Sequence, residues 1–412
     1  MGTAVIGSSI RAAATKLLAS VQTPFIVVDC DRIRRRAEEV AKTWYRSSSS
    51  AVLAYSYKTN SLPCVTSAIL AAGYWAEAVS MDEVRMAISD GCDSTRVLLN
   101  GPCKTREDLI AAVHTGVLVQ VDSVSEIRRI CSIPCIADLR PRVALRLSVL
   151  RDGRWSRFGL SPDEYFAAVY ECEAAGVPIV GLHFHCGSNL TSARLHAGVL
   201  RMFAPILEDL SNRFTPGELV VNIGGGFALT SAKNDDPLRA HEAAARCVVR
   251  VMRDLRLNTN ATLRVAVEPG RSLVEDCAAV VTSVVDTKVR GSENLILVDV
   301  GTNVIRSGQE RQHPVEPLIP AASAASAVIY RLYGPNCFEM DTLGVVESVS
   351  GVGPGDVLLV GGVRAYDMAT SFAWSRPLPS IWGIVGGQVT HVARRFCEDP
   401  RDASREKTQG AG

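Results

Sequence analysis

Between residues 51 and 271 the sequence repeats one pattern eight times: a short apolar run, a turn, then an amphipathic stretch. The runs lie at 51–57, 74–79, 96–99, 118–121, 143–147, 179–184, 219–223 and 263–267. They are aliphatic or β-branched and mostly do not alternate with polar residues, as expected of strands buried on both faces. Helix-start signals fall between them. Ser80-Met-Asp-Glu83 and Ser123-Val-Ser-Glu126 fit the capping box, and Thr105-Arg-Glu-Asp108 is a weaker version of it. Gly73, Gly91, Gly116 and Gly176 stand where helices should stop. Eight such units in about 220 residues predict a (β/α)8, TIM-like barrel of the α/β class. A doubly wound sheet is the alternative, but eight strands before any change of pattern favour closure.

The flanks read differently. A strand-like run at 24–29 and a helical stretch at 33–44 precede the barrel. Beyond residue 272, β-like runs at 278–288, 294–300, 327–332, 356–360 and 388–392 are punctuated by glycine and proline. The expected organisation is a barrel over 33–275 and a β-rich, mostly antiparallel domain built from 1–32 and 276–412, with a frayed tail after Glu398. Lys and Arg total 44 against 43 Asp and Glu, a net charge of +1, which removes the electrostatic case for nucleic acid or a membrane surface. No apolar run reaches the ~18 residues needed to span a bilayer, and the first residues lack a secretory pattern. The 12 cysteines are too sparse for a disulfide scaffold, and Cys131-x3-Cys135 has no second pair to complete a zinc site. A cytoplasmic protein with reduced, mostly buried thiols is expected.

In a barrel of this kind the active site lies at the C-terminal ends of the strands. The first run ends in Tyr57-Lys58-Thr59-Asn60. A lysine there, desolvated beside apolar residues, becomes a nucleophilic amine, although most lysines are simply exposed. The sixth ends in His183-Phe-His185-Cys-Gly-Ser188, with two imidazoles facing the same way. They suit a metal, but no third ligand is well placed, and stacking or proton transfer is an equal use. The seventh ends in Gly224, Gly225 and Gly226, which offer backbone N–H groups to an anion, and the eighth in Glu268-Pro-Gly270-Arg271. Each signal alone is more often a turn or a surface ion pair. Together they describe a site for pyridoxal 5'-phosphate: an amine for the aldehyde, glycines and an arginine for the phosphate, an acid for the ring nitrogen.

Over residues 23–372 the sequence resembles the fold-type III pyridoxal-phosphate decarboxylases of amino acids, which include the diaminopimelate, ornithine and biosynthetic arginine decarboxylases. Tyr57-Lys58-Thr-Asn resembles the family's cofactor-lysine motif. Ala76-Glu77-Ala-Val-Ser-Met-Asp-Glu83 resembles its second-strand motif, with Glu77 where aspartate is usual. His183-Phe-His185-Cys-Gly-Ser188 resembles its His-x-His-x-Gly-Ser motif, and Gly224-Gly225-Gly226-Phe227 its phosphate loop. The resemblance implies that His185 stacks on the cofactor ring, that Ser188 reaches the phosphate, that Glu268 pairs with the ring nitrogen, and that Gly270 and Arg271 line the same pocket. It also implies a barrel plus β-rich domain on the alanine racemase-like plan, and a homodimer with shared active sites. Gly334-Pro-Asn-Cys337-Phe-Glu-Met-Asp341 resembles the segment that enters the partner's site, where the cysteine is the proton donor. Arg364-Ala-Tyr366 resembles the Gly-Ala-Tyr element whose tyrosine contacts cofactor, and Arg157 is implied to pair with Asp341 across the interface.

Three departures concern the substrate. Phe338 stands where an acid usually reads a distal amine, with Glu339 one residue later. Arg306 lies in a segment lacking the Arg-Pro-x-Leu-Tyr run of diaminopimelate decarboxylases. The ending after Tyr366 becomes Thr370-Ser-Phe-Ala-Trp-Ser. Arg306, Phe338, Glu339 and Asp341 are the expected substrate-reading positions, and no metal is expected. The expected function is decarboxylation of an amino acid or an amino-acid-derived intermediate of a siderophore or secondary-metabolite pathway. The alternatives are diaminopimelate decarboxylase itself, a pyridoxal-phosphate racemase or epimerase, a non-catalytic homologue, and a metal-dependent barrel enzyme using His183 and His185.

Overall fold

The computed structural model describes residues 6–151, 153–190, 192, 194–214, 217–227, 237–255, 262–309, 313–319, 328–348, 351–363 and 365–392. Arg364 and the tail after Glu398 therefore lie outside the described residues. The chain divides into two units. One comprises Arg34–Thr59 and Ile69–Leu273; the other comprises Met1–Ile33, Asn60–Ala68 and Val274–Gly412. The stretch Asn60–Ala68, inside the span expected for the barrel, groups with the β-rich unit.

In the first unit eight parallel strands close into a barrel: Val52–Ser56, Trp75–Ala78, Val97–Leu99, Leu118–Val121, Arg142–Arg146, Ile179–His183, Glu218–Asn222 and Thr262–Val267. The last pairs with the first through Ala266 opposite Val52 and Val267 opposite Leu53. All eight expected strands are present. The lumen is filled by Val52, Ala54, Leu98, Leu118, Ala144, Val220 and Ala266, with Trp75 packed against them. Gly181 is required here, since a Cβ would meet the Val220 carbonyl and the Ala144 methyl. Successive side chains on a strand alternate faces, so the residue two places beyond each lumen residue also points inward.

Gly116 and Gly176 end their helices in the left-handed conformation, as their positions imply. The helix starts differ in one detail. Thr105 and Asp108, the weaker sequence match, form the complete capping box, and so do Ser161 and Glu164. At Ser80 and Ser123 the serine accepts from the third residue's N–H. The Glu83 and Glu126 carboxylates, however, reach one residue further back, to the Val79 and Asp122 N–H groups.

The β-rich unit holds a nine-stranded sheet in which Phe25–Asp29 lies between Ala278–Arg290 (antiparallel) and Ser380–Val385 (parallel). Most pairings are antiparallel, with parallel ones also at Glu293–Val298 beside Val328–Tyr333 and at His313–Pro317 beside Thr342–Ser348. The strands His313–Pro317, Thr342–Ser348 and Ser380–Val385 and the helix Ser8–Leu17 were not expected. Pro314 and Pro317 hide the first, and Gly344 and Gly383 interrupt the other two. The helix covers one sheet face, burying Ile10, Ala13, Ala14 and Leu17 against Phe25, Val27, Ala279, Val281 and Leu359.

Thr105→Ala removes the side-chain acceptor for the Asp108 N–H. It should cost about 1 kcal/mol in urea unfolding, whereas a loss under ~0.3 kcal/mol would show that the cap is not formed.

Candidate active site

Two residues beyond the lumen layer, each strand presents a polar side chain: Ser56, Glu77, Asn100, Gln120, Arg146, His183, Asn222 and Glu268. Just past the first strand, Lys58 sits in the short 3-10 turn Tyr57–Thr59. Its ammonium donates to both oxygens of Glu77, at 3.0 and 2.7 Å. Ser56 donates to the same carboxylate at 2.5 Å. The Asn100 amide nitrogen donates to Glu77 at 3.0 Å and to Glu268 at 2.8 Å, one hydrogen to each acid. Asn222 donates to Glu268 at 2.6 Å, while its own carbonyl accepts from the Gly224 N–H at 2.9 Å. One hydrogen-bonded chain thus runs from the lysine to the glycine turn through strands one, two, three, eight and seven.

The electrostatics separate the two acids. Glu77 is completely buried, which pushes its carboxyl up, but the Lys58 ammonium and the donors Ser56 and Asn100 outweigh burial and hold it below the usual carboxylate range. Glu268 is pushed up to about 7, first by burial and then by the nearby Glu77 charge, against the opposing pull of Lys58 and Asn222. Lys58 itself is not desolvated as the sequence reading expected. Its side chain is 40% exposed and is held by a carboxylate rather than by apolar walls.

Both imidazoles of the sixth strand end are neutral at pH 7. Burial brings His185 down to about 4 and pushes His183 well below its usual value, with Arg146 adding to both. The His183 Nε2 lies 3.7 Å from Glu268, and neither of its ring nitrogens has a hydrogen-bond partner. His185 receives the Gly225 N–H at 3.4 Å. Among the described residues no group of three or more His, Cys, Asp or Glu side chains could hold a metal ion.

The loops are joined through their backbones. Glu268 N–H donates to the Gly224 carbonyl at 3.0 Å, and Phe184 N–H to the Asn222 carbonyl at 3.0 Å. A Cβ on Gly225 would meet the Glu268 carbonyl, one on Gly226 the Gly187 carbonyl, and one on Gly270 the Thr59 hydroxyl. Arg271 is half-buried at the start of the helix Arg271–Val274, and Ser188 is exposed. Buried polar atoms without partners gather around this rim: Thr59 Oγ1, Asn100 Oδ1 and both His183 nitrogens. The residues present therefore fit pyridoxal phosphate, with a reachable amine, an acid poised near neutrality, neutral imidazoles and a side-chain-free turn.

The other expected positions lie in the β-rich unit. Cys337 is exposed, and with the ten other described cysteines it is free of disulfides. Phe338 and Glu339 are exposed. Arg306 lies over the Phe372 ring at 5.6 Å, and Trp374 is 6.3 Å from Phe338 and 6.2 Å from Phe372. Tyr366 is half-buried at the start of Asp367–Thr370. Asp341, expected to read substrate, is instead engaged by its own unit. It is buried and accepts from Thr302 N–H at 2.6 Å, Thr302 Oγ1 at 2.9 Å and Asn336 N–H at 2.8 Å. Arg157 lies over the Phe158 ring at 4.1 Å. The sequence reading missed Ser56, Asn100, Asn222 and the Glu268-facing position of His183. Their spacing of two from lumen residues was the available signal.

Residues 31–275 match the family model described as pyridoxal-dependent decarboxylase, pyridoxal binding domain. The diaminopimelate decarboxylase of Deinococcus radiodurans is 30% identical over 377 residues, covering 89% of this chain and 92% of that protein. The probable chloroplastic diaminopimelate decarboxylase of Oryza sativa is 26% identical over 394 residues, covering 91% and 78%. Among solved structures, diaminopimelate decarboxylase from Helicobacter pylori complexed with L-lysine superposes with a TM-score of 0.79 at 21% identity, over 96% of this chain and 99% of that one. Lysine/ornithine decarboxylase from Vibrio vulnificus complexed with putrescine gives 0.77 at 20%, over 93% and 100%.

The Glu268 carboxyl titrates at 4.5 as a free side chain and near 7 in the fold. Folding thus disfavours its ionised form. The penalty is absent below pH 4.5, grows up to pH 7 and is constant above. Glu268→Gln, in the cofactor-free chain, should gain stability over the unaltered protein across that window, on the order of 3 kcal/mol by pH 7.5 in urea unfolding. A difference that does not vary with pH would contradict this account.

Proposed function

The chain belongs to the pyridoxal-dependent decarboxylase family, and from that membership we propose that it decarboxylates a specialised amino-acid-derived biosynthetic intermediate with Lys58, Glu77, His185 and Glu268 as its working groups. The broad activity is that of a pyridoxal 5'-phosphate-dependent carboxy-lyase acting on an amino acid. The observation that carries the residue assignment is the unbroken hydrogen-bond chain from Lys58 to Gly224.

When bound, pyridoxal phosphate supplies an aldehyde for the amines and a ring that accepts the electron pair left by departing CO2. Lys58 provides the anchoring amine. Glu77, ionised and with Oε2 2.7 Å from Nζ, holds that amine in place as its counter-ion. Glu268 holds a proton or releases it near neutral pH, which suits an acid paired with a ring nitrogen. His185, uncharged, offers a flat face for stacking without competing for the phosphate. Gly224, Gly225, Gly226, Gly270, Arg271 and Ser188 form the phosphate end.

The protein acts as a homodimer in the cytoplasm, and Cys337 of the partner subunit, with Tyr366, completes each site. The exposure of Cys337 supports this, because a proton donor for another subunit must stand clear of its own. Its loop is also held in shape by the buried Asp341. Arg306 and the exposed Phe338, with Glu339 beside it, read the distal part of the substrate. The Arg306 guanidinium carries the same charge as a distal ammonium, and Phe338 offers no carboxylate to pair with one, which disfavours simple diamine precursors. Diaminopimelate is the second reading, favoured by the 30% identity to the Deinococcus enzyme.

A CO2-release screen over D- and L-diamino acids, diaminopimelate and carboxylated conjugates, with mass detection of the amine, separates the two readings. Turnover of diaminopimelate above all other substrates would overturn the specialised one. Lys58→Ala should abolish CO2 release and the absorption of lysine-linked cofactor; a retained band refutes its role. Cys337→Ala should keep cofactor bound while the yield of clean amine product falls. An unchanged yield removes it from the reaction.

A further inference from the structure

Behind the glycine turn lies a buried cluster of rings that the reaction does not use: Trp44, His196, Phe227 and His241. The Trp44 indole N–H donates to His241 Nδ1 at 3.1 Å, so the His241 hydrogen is on Nε2, which meets Ser272 Oγ at 2.9 Å. The Phe227 ring is packed between the two histidines, 4.3 Å from His241 and stacked on His196 at 5.1 Å and 15°. The wall of the turn is thereby tied to the residue that follows Arg271.

His196, on the helix Arg194–Met202, does more than pack. Its Nε2 lies 3.1 Å from the Gly225 carbonyl. A carbonyl only accepts, so Nε2 carries the hydrogen and Nδ1 is bare. Nδ1 is buried without a hydrogen-bond partner, an unfavourable arrangement that a phenylalanine in the same place would avoid. Burial lowers the His196 pKa, so the ring is a neutral donor. In a planar trans peptide the C=O and N–H point in opposite directions. Drawing the Gly225 carbonyl toward His196 therefore turns the Gly226 N–H to the other side of the turn, away from the rings. Gly226 can hold this conformation, φ +85°, only because it has no side chain.

We propose that His196 is a positioning residue for the anion cradle: by donating from Nε2 to the Gly225 carbonyl, it fixes the Gly225–Gly226 peptide so that its N–H faces the cofactor's phosphate. This rests on the reading that the glycine turn takes that phosphate. His196→Phe keeps a stacking ring and removes the donor, whereas His196→Gln keeps a donor. Full-length, cofactor-free chains are titrated with pyridoxal phosphate and, separately, with pyridoxal, which lacks the phosphate, and the bound phosphate is followed by 31P resonance. His196→Phe should bind pyridoxal phosphate about five- to tenfold more weakly and pyridoxal as the unaltered chain does. His196→Gln should recover most of the loss and the original 31P shift. Should the ring variant not fold, His196→Leu gives the same comparison. Unchanged affinity for pyridoxal phosphate, or equal loss for both compounds, overturns the proposal. Gly226→Ala tests the underlying reading separately: if it spares pyridoxal phosphate binding, the turn is not the phosphate cradle.

Discussion

Two buried carboxylates share one amide. Asn100 gives one hydrogen to Glu77 and the other to Glu268, and without it two like charges would face each other in a low-dielectric lumen. The arrangement makes the acids unequal. Glu77 has a permanent counter-ion in Lys58 and stays ionised, while Glu268 has only neutral donors and is left near neutrality. A lysine held ready and an acid able to change state thus arise from burial and from where the one counter-ion sits, while Asn100 ties the two carboxylates together. The same chain of bonds continues through Asn222 to the Gly224 N–H, so the lysine and the glycine turn are positioned together.

Barrel closure makes this possible. An apolar layer of small and branched side chains plugs the lumen, and strand alternation places a polar layer directly above it. That geometry also explains which parts of the site could be read from sequence. Lys58, Gly224, Gly225, Gly226 and Glu268 lie at the ends of apolar runs, and although each is weak alone, their joint placement on one rim could be read. Asn100 and Asn222 carry no chemistry of their own, and their meaning appears only when five strands are brought side by side. The strands themselves were legible because each is a short apolar run. The three missed strands of the β-rich unit are broken by proline or glycine, and there sheet pairing overrides local propensity.

Charged residues misled the sequence reading where their partners were distant. Lys58 was expected in an apolar pocket, yet its environment is set by Glu77 on the neighbouring strand. Asp341 was expected to face substrate. It serves instead as the internal clamp of the loop that carries Cys337 and Phe338, binding Thr302 and the Asn336 backbone. Asn336 and Asn303 extend the clamp, and Asn303 exchanges hydrogen bonds with the Phe372 backbone. Exposed aromatic residues are thus presented from a hydrogen-bonded frame rather than from a slack loop.

The glycines of the turn face other backbone segments, not open space: Gly225 the Glu268 carbonyl, Gly226 the Gly187 carbonyl, Gly224 the Phe184 carbonyl. Any side chain there would separate two loops at once. The shape of the turn is therefore written into main-chain geometry, where substitution has almost no viable moves. Phe338, Phe372 and Trp374 are exposed, and substitution there would disturb no such joint. A scaffold divided in this way can remodel its exposed aromatic face while the joint between its loops stays locked.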